Sequence, residues 1–315
     1  MSRLFRDVEG GPLCPQGSVV CIGAFDGLHL GHRALVRHAV ARARSRGLPA
    51  VALSFEPLPR EFFGVTPPTR LTPRRDKVEG LFALGIDVVG LLRFNTALSK
   101  MTPEAFVTAA LVQRLQAREV WVGPDFRFGC ARSGNLHTLQ QLGAEFGFTA
   151  DAVVPIVLDG ERVSSTRVRD ALANADFDAA SRLLGRAFTV TGRVVRGNQL
   201  GRTLGYPTAN LRFDSKAPPL AGIFAARVHG VGAESWPAVI SVGTRPTVGG
   251  TEPLLEAHLF GFDGDLYGQC ISVEPVAKLR DEATFTDLPT MVAQMHRDAS
   301  QARALLDDRP RQAFA

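Results

Sequence analysis

The chain has 315 residues, a formal net charge of +5, and 45% hydrophobic against 21% charged residues. That length favours two domains over a single core, and the balance is that of an ordinary soluble globular protein. Charges interrupt every apolar-leaning stretch and the opening MSRLFRDVEGG has no apolar centre, so neither a membrane-spanning helix nor a secretory leader is expected.

In chain order, SVVCIGAF (18–25) is an apolar run carrying a glycine near its end, read as the first buried strand. From Ala34 to Arg46, Leu35, Val36, Ala39, Val40 and Ala43 fall at helical spacing, and Gly47 and Pro49 stop the helix. PAVALSF (49–55) is the next strand. Thr72 followed by Pro73 reads as a cap and first-turn proline, opening a helix that carries Val78, Leu81, Phe82 and Leu84 and ends near Gly85. IDVVGLL (86–92) is a strand, and Thr102-Pro103 repeats the helix-start device. REVWVG (118–123), LHTLQQLGAEFG (136–147) and FTADAVVP (148–155) continue as strand, helix and strand. Strands apolar on both faces, alternating with helices, imply an α/β domain with a doubly wound parallel sheet.

The pattern changes near Ala187. AFTVTGRVVRG (187–197), GIFAARVHG (222–230), PAVISVG (237–243), LLEAHLFGF (254–262) and CISVEPVAKL (270–279) are short strand-like runs without helices between them. They imply an antiparallel barrel or sandwich. Phe285, Leu288, Val292, Met295, Ala299, Ala302 and Leu306 then step by three or four and give a closing helix one apolar face. A domain boundary is expected between Leu184 and Phe188, giving domains 1–185 and 186–315.

Cys14, Cys21, Cys130 and Cys270 are scattered without a CxxC pair, which points away from a disulfide framework or zinc site and toward a reducing cytoplasm. Arginine outnumbers lysine, but no basic run interleaved with aromatics appears. The excess is therefore assigned to surface and phosphate ligands rather than to nucleic acid. No membrane partner is expected, and self-association is left open.

Three segments of the first half carry chemistry. In Gly23–His32, GAFDGLHLGH, a strand gives way to a helix, the place where open α/β sheets bind nucleotides. Gly23 and Gly27 allow close backbone approach, and the helix start offers N–H groups to an anion. His29 and His32, three residues apart, share a face and can donate to phosphate oxygens as charge builds. Neither GxxxxGK[ST] nor GxGxxG occurs. In Gly123–Gly129, GPDFRFG, Asp125 is a polar anchor, and Phe126 and Phe128 offer surface to a flat ring. In SSTRVR, hydroxyls open a short helix beside Arg167 and Arg169, a phosphate-binding combination.

The second half has Gly197–Leu211, GNQLGRTLGYPTANL, with three glycines spaced four apart. Thr208 and Asn210 alternate with Ala209 on extended chain, and their oxygens are of the hard type that magnesium accepts. In LLEAHLF, Glu256 and His258 take one face and Leu255, Ala257 and Leu259 the other; a strand carboxylate can be a general base.

GAFDGLHLGH resembles the signature of the HxGH nucleotidyltransferases and, more narrowly, that of the bacterial bifunctional riboflavin kinase/FMN adenylyltransferases. GPDFRFG and SSTRVR resemble the flavin-site and pyrophosphate-site motifs of that family. PTAN, Asp265–Gly268 (DLYG) and Leu279–Phe285 (LRDEATF) resemble riboflavin kinase. The motifs run in the family's order from about Val19 to Arg303. One departure stands at SFEPLPR (54–60), where Leu58 occupies a place that is often histidine.

The resemblance implies a Rossmann-like adenylyltransferase domain followed by a riboflavin kinase barrel. The implied substrates are riboflavin, FMN and ATP, with FAD as product and Mg2+ as cofactor. For the adenylyltransferase it implies His29 and His32 as catalytic. Gly23, Phe25, Asp26, Gly27, Ser164, Ser165, Thr166, Arg167 and Arg169 would bind ATP, and Asp125, Phe126 and Phe128 the flavin. For the kinase it implies Glu256 as base and Thr208 and Asn210 as metal ligands. Gly197, Gly201, Arg202, Gly205 and Pro207 would bind ATP, and Arg280 and Glu282 the flavin. The alternatives are a chain with one active domain, or a non-enzymatic flavin-binding regulator.

Overall fold

The computed structural model describes residues 3–65, 68–197, 201, 204–213, 218–247 and 250–308. Packing divides the chain into two compact units, Met1–Pro68 with Arg74–Ser164, and Thr69–Pro73 with Ser165–Ala315.

The first unit is built on six strands in the order β1-β4-β3-β2-β5-β6, all parallel. They are β1 (Arg3–Phe5), β2 (Ser18–Ile22), β3 (Ala50–Glu56), β4 (Val88–Arg93), β5 (Ala117–Val122) and β6 (Thr149–Ala152). The central strands are buried on both faces, as near-continuous Val, Ile, Leu and Ala runs require. Helix α1 (Leu30–Arg46) places Leu35, Val36, Ala39 and Ala43 against one face, beside Leu81 of α3 (Arg74–Ala83). Two one-turn helices, α2 (Pro59–Phe63) and α4 (Thr96–Ser99), follow β3 and β4. The other face is covered by α5 (Pro103–Phe106), the wide-turned helix Val107–Arg114 and α6 (Leu136–Phe146). The Thr102 cap is present, with its hydroxyl accepting from Ala105 N at 3.2 Å and Pro103 in the first turn. Helix α1 starts four residues before the expected Ala34, because polar His32 and Arg33 belong to its first turn. A two-strand hairpin, β7 (Val157–Leu158) and β8 (Glu161–Arg162), completes this unit.

In the second unit, α7 (Ser165–Ala173) and α8 (Phe177–Leu184) pack on each other, and Phe177 meets Phe224 edge-on at 5.8 Å. The remaining strands form a closed barrel in the order β10-β13-β12-β11-β14-β9. They are β9 (Val190–Val195), β10 (Ala209–Arg212), β11 (Gly222–His229), β12 (Trp236–Thr247), β13 (Gly250–Leu259) and β14 (Cys270–Arg280). Every neighbouring pair is antiparallel. Closure decides between barrel and sandwich and leaves no exposed edge. The last described helix, Leu288–Asp308, buries Ala299, Ala302 and Leu306 against Tyr206, Ala225 and Phe260. No described helix is long and apolar enough to cross a membrane.

Candidate functional sites

The turn between β2 and α1 carries the first constellation. Phe25, Gly27 and Leu28 all have left-handed φ values of 49°, 89° and 44°, which costs energy at the two non-glycine positions. Complete burial of Phe25 and near-complete burial of Leu28 hold this shape. Asp26 is buried in the same turn. His29 is the N-cap of α1, its Nδ1 accepting from His32 N at 3.3 Å. The two imidazoles stack with centroids 3.7 Å apart, and Phe25 meets His32 edge-on at 5.5 Å. The predicted shared face is therefore a stacked pair at a helix start, where N–H groups and dipole favour an anion. Burial, then the neighbouring His29, Lys77 and Arg162, pushes the His32 imidazole well below its ordinary 6.5, so it is neutral near pH 7. Its Nδ1 is buried with no hydrogen-bond partner among the described residues.

Two cations near this pair were not read from the sequence. Lys77 is fully buried on α3, one turn before Leu81, which packs in the same cluster as Phe25 and Leu28. Arg162, on β8, pairs with Asp125 of the GPDFRFG loop. No spacing in the sequence links either residue to the histidines.

The loop after β5 stacks Phe126 on Phe128 at 5.4 Å and 15°. Both line a cleft of about 510 Å3 together with Phe55, Phe63, Phe94 and Phe106. Arg60, Arg127 and Arg132 also line it, and no acidic side chain among the described residues does. The aromatics from β3, α2 and the position after β4 were missed because they are scattered along the chain. Leu58 is buried and precedes α2; its N–H donates to Glu61 Oε2 at 2.8 Å, while the adjoining Pro59 and Arg60 reach the cleft. Ser165 and Thr166 are the first residues of α7, preceded by Ser164 and followed by Arg167. Arg169 Nε donates to the Thr69 carbonyl at 2.6 Å.

In the barrel, Asn210 of β10 stands opposite Glu256 of β13, and Glu256 opposite Ser241 of β12. The predicted alternation of β13 holds, with Leu255, Ala257 and Leu259 buried and Glu256 and His258 half-buried. Two cavities meet at Thr208. One, of about 290 Å3, is lined by Gly201, Tyr206, Thr208, Glu256, Arg280, Glu282 and Phe285. The other, of about 470 Å3, is lined by Pro207, Thr208, Asn210, Phe262 and the Asp263–Tyr267 turn. Asn210 Oδ1 is buried with no hydrogen-bond partner among the described residues, and a Cβ at Gly197 would come within 2.8 Å of it. A buried, unsatisfied amide oxygen beside a threonine hydroxyl fits a hard cation that keeps most of its ligands as water and phosphate. No cluster of three or more His, Cys, Asp or Glu suited to a metal occurs among the described residues.

Arg280 is held by buried Asp298, with Nη2 to Oδ2 at 2.7 Å and Nε to Oδ1 at 3.1 Å, and it lies over the Phe285 ring at 5.8 Å. The Glu282 carboxylate lies where a Cβ on Gly243 would be. Gly205 turns with φ 81°, and Arg202 lies outside the described residues.

Comparison with known proteins follows this division. Residues 12–167 match the family model of FAD synthetase, and residues 184–306 that of riboflavin kinase. The bifunctional riboflavin kinase/FMN adenylyltransferase of Haemophilus influenzae is 38% identical over 97% of this chain and 99% of its own. That of Pseudomonas fluorescens is 44% identical over 92% and 93%. A crystal structure from Streptococcus pneumoniae, titled macrolide-efflux protein, superposes with a TM-score of 0.76 at 28% identity, covering 96% of this chain and 98% of its own. With matching models for both halves and relatives this similar over nearly the whole length, the chain belongs to the bifunctional riboflavin kinase/FMN adenylyltransferases.

Proposed function

We propose that the two steps of FAD synthesis run at two separate centres, the kinase in residues 186–315 and the adenylyltransferase in residues 1–185. The observation that carries the kinase assignment is that Thr208 lines both barrel cavities, with Glu256 on one side and Asn210 on the other. Riboflavin occupies the cavity with Glu256, Arg280, Glu282 and Phe285, and ATP the one with Asn210, with Gly197, Gly201, Arg202, Gly205 and Pro207 as its ligands. Glu256 takes the proton of the ribityl 5′-hydroxyl as its oxygen bonds to the γ-phosphorus and the bond to ADP breaks. Thr208 and Asn210 would hold Mg2+, which when bound neutralises phosphate charge.

In residues 1–185, an FMN phosphate oxygen attacks the α-phosphorus of ATP, and pyrophosphate leaves. His29 and His32 donate to the charge that develops there. Gly23, Phe25, Asp26 and Gly27 shape the phosphate-binding turn, and Ser164, Ser165, Thr166, Arg167 and Arg169 hold the leaving phosphates. The aromatic cleft with Phe126 and Phe128 takes the flavin, and its arginines suit an anionic one; Asp125, on the same loop and paired with Arg162, is the polar anchor beside it. The setting is cytoplasmic, where reduced cysteines are stable.

Supplying the purified protein with riboflavin and MgATP, then separating the flavins over time, tests this reading. FMN should appear first and FAD follow. Persistence of riboflavin would reject it.

A further inference from the structure

Two imidazoles brace the Tyr206–Pro207 step that leads into Thr208. From the last helix, His296 Nδ1 lies 2.6 Å from the Tyr206 hydroxyl. From β13, His258 Nδ1 lies 2.9 Å from the Pro207 carbonyl oxygen. A carbonyl oxygen only accepts, so the imidazole donates. The His258 ring is itself held between Tyr206, at 4.9 Å, and Phe260, at 5.6 Å between centroids. Pro207 has no N–H, so its carbonyl is the one backbone hydrogen-bonding group it offers. That carbonyl and the N–H of Thr208 share a single peptide plane. A donor fixed on the carbonyl therefore sets the plane from which Thr208 departs, two residues before Asn210. His258 also projects from the same face of β13 as Glu256, so one strand carries the base and the brace.

We propose that His258 is a positioning residue of the kinase centre, aligning Thr208 and Asn210 for the cation-bound nucleotide through its Nδ1–H bond to the Pro207 carbonyl. This rests on the assignment of Thr208 and Asn210 to the metal-bound phosphates.

The test uses the full chain, with MgADP binding measured by calorimetry and both reaction steps followed kinetically. Thr208→Ala identifies the binding event that belongs to the barrel. His258→Phe keeps a ring between Tyr206 and Phe260 but removes the donor. It should weaken that event about tenfold, the effect of one lost hydrogen bond. The kinase KM for MgATP should rise by about the same factor, with kcat within about twofold and FMN adenylylation unchanged. His258→Asn, whose Nδ2 can replace Nδ1 as donor, should restore affinity to within about threefold. If His258→Phe lowers the folded fraction, His258→Leu gives the same comparison. Wild-type MgADP affinity in the donor-less variant, with the event lost in Thr208→Ala, overturns the positioning role and leaves the metal assignment standing. Wild-type affinity in Thr208→Ala removes the metal assignment and the proposal with it.

Discussion

The two halves of this chain handle the same co-substrate with different equipment. In the parallel-sheet unit, the proposed phosphate site is a helix start, with main-chain N–H groups, a stacked histidine pair and buried Lys77, which are positive or able to donate. In the barrel the proposed site is a meeting of strands, where Thr208, Asn210 and Glu256 bring side-chain oxygens together. The difference follows from what each architecture presents. Parallel strands feeding helices put unsatisfied N–H groups at the strand ends. A closed antiparallel barrel uses its N–H groups in the ladder, so side-chain oxygens and a cation would have to do the work. The donor-rich site suits a leaving pyrophosphate, and the acceptor-rich site suits removal of a hydroxyl proton.

The sharpest way to break that contrast is at Glu256. Glu256→Gln keeps shape and hydrogen-bonding capacity but cannot take a proton. FMN formation from riboflavin should fall about a thousandfold, within the range of general-base catalysis. FAD formation from supplied FMN should continue at the wild-type rate. Separating the flavins from parallel reactions started with riboflavin or with FMN reads both numbers.

The reciprocal change is at His29, where two roles must be kept apart because the side chain also caps α1. His29→Asn supplies another good cap while removing the imidazole. FAD formation should slow about a hundredfold, the scale of one lost transition-state donor, with kinase activity and melting temperature held. A fall in melting temperature together with both activities would show that the pair is structural.

Much of this contrast was readable from the chain because its motifs are contiguous. GAFDGLHLGH, GPDFRFG and PTAN each sit within one turn or strand end, and local rules suffice to place them. The parallel sheet was readable from runs such as SVVCI and VVGLLR, which are apolar on both faces. What escaped was assembled by packing. Lys77 lies against the His turn only because α3 and α1 cover the same sheet face. Phe55, Phe63 and Phe94 reach the proposed flavin cleft from β3, α2 and the position just after β4. The choice between barrel and sandwich depended on β9 meeting both β10 and β14, a pairing across many residues that no local periodicity encodes.

The parallel-sheet unit should also weaken in acid. Glu119 of β5 is buried, and Arg42 of α1 donates to it through Nε at 2.9 Å and Nη2 at 2.6 Å. Those bonds, joined by Trp121 and the charges of Arg42 and Arg46, outweigh burial and hold its carboxyl down at about 2 against an ordinary 4.5. A depressed carboxyl stabilises the fold above its unfolded value, and that stability is lost as pH falls from about 4.5 through about 2. His32 acts in the same direction from a higher starting point. It is neutral when folded but protonates at about 6.5 when unfolded, so acid below that value favours unfolding. Glu119→Gln should therefore cost about 2 kcal/mol at pH 7, and the gap from wild type should close as pH falls toward 2. Denaturant titrations across pH measure it, and a gap independent of pH would remove the ion pair as its cause.

The smallest expected effect separates stability from chemistry within the first unit. Asn135 caps α6, its Oδ1 accepting from Thr138 N at 3.0 Å, and α6 covers the sheet without lining the proposed flavin cleft. Asn135→Ala removes one cap and should cost about 1 kcal/mol. Both flavin conversions should keep their wild-type rates at temperatures below the transition. Because Leu139 and Leu142 still anchor the helix in the core, the loss stays local. If FMN adenylylation nevertheless slowed while the kinase did not, the cleft would have to depend on how α6 seats Phe128 through their shared core. Flavin selection would then be a property of the whole sheet face rather than of its loops.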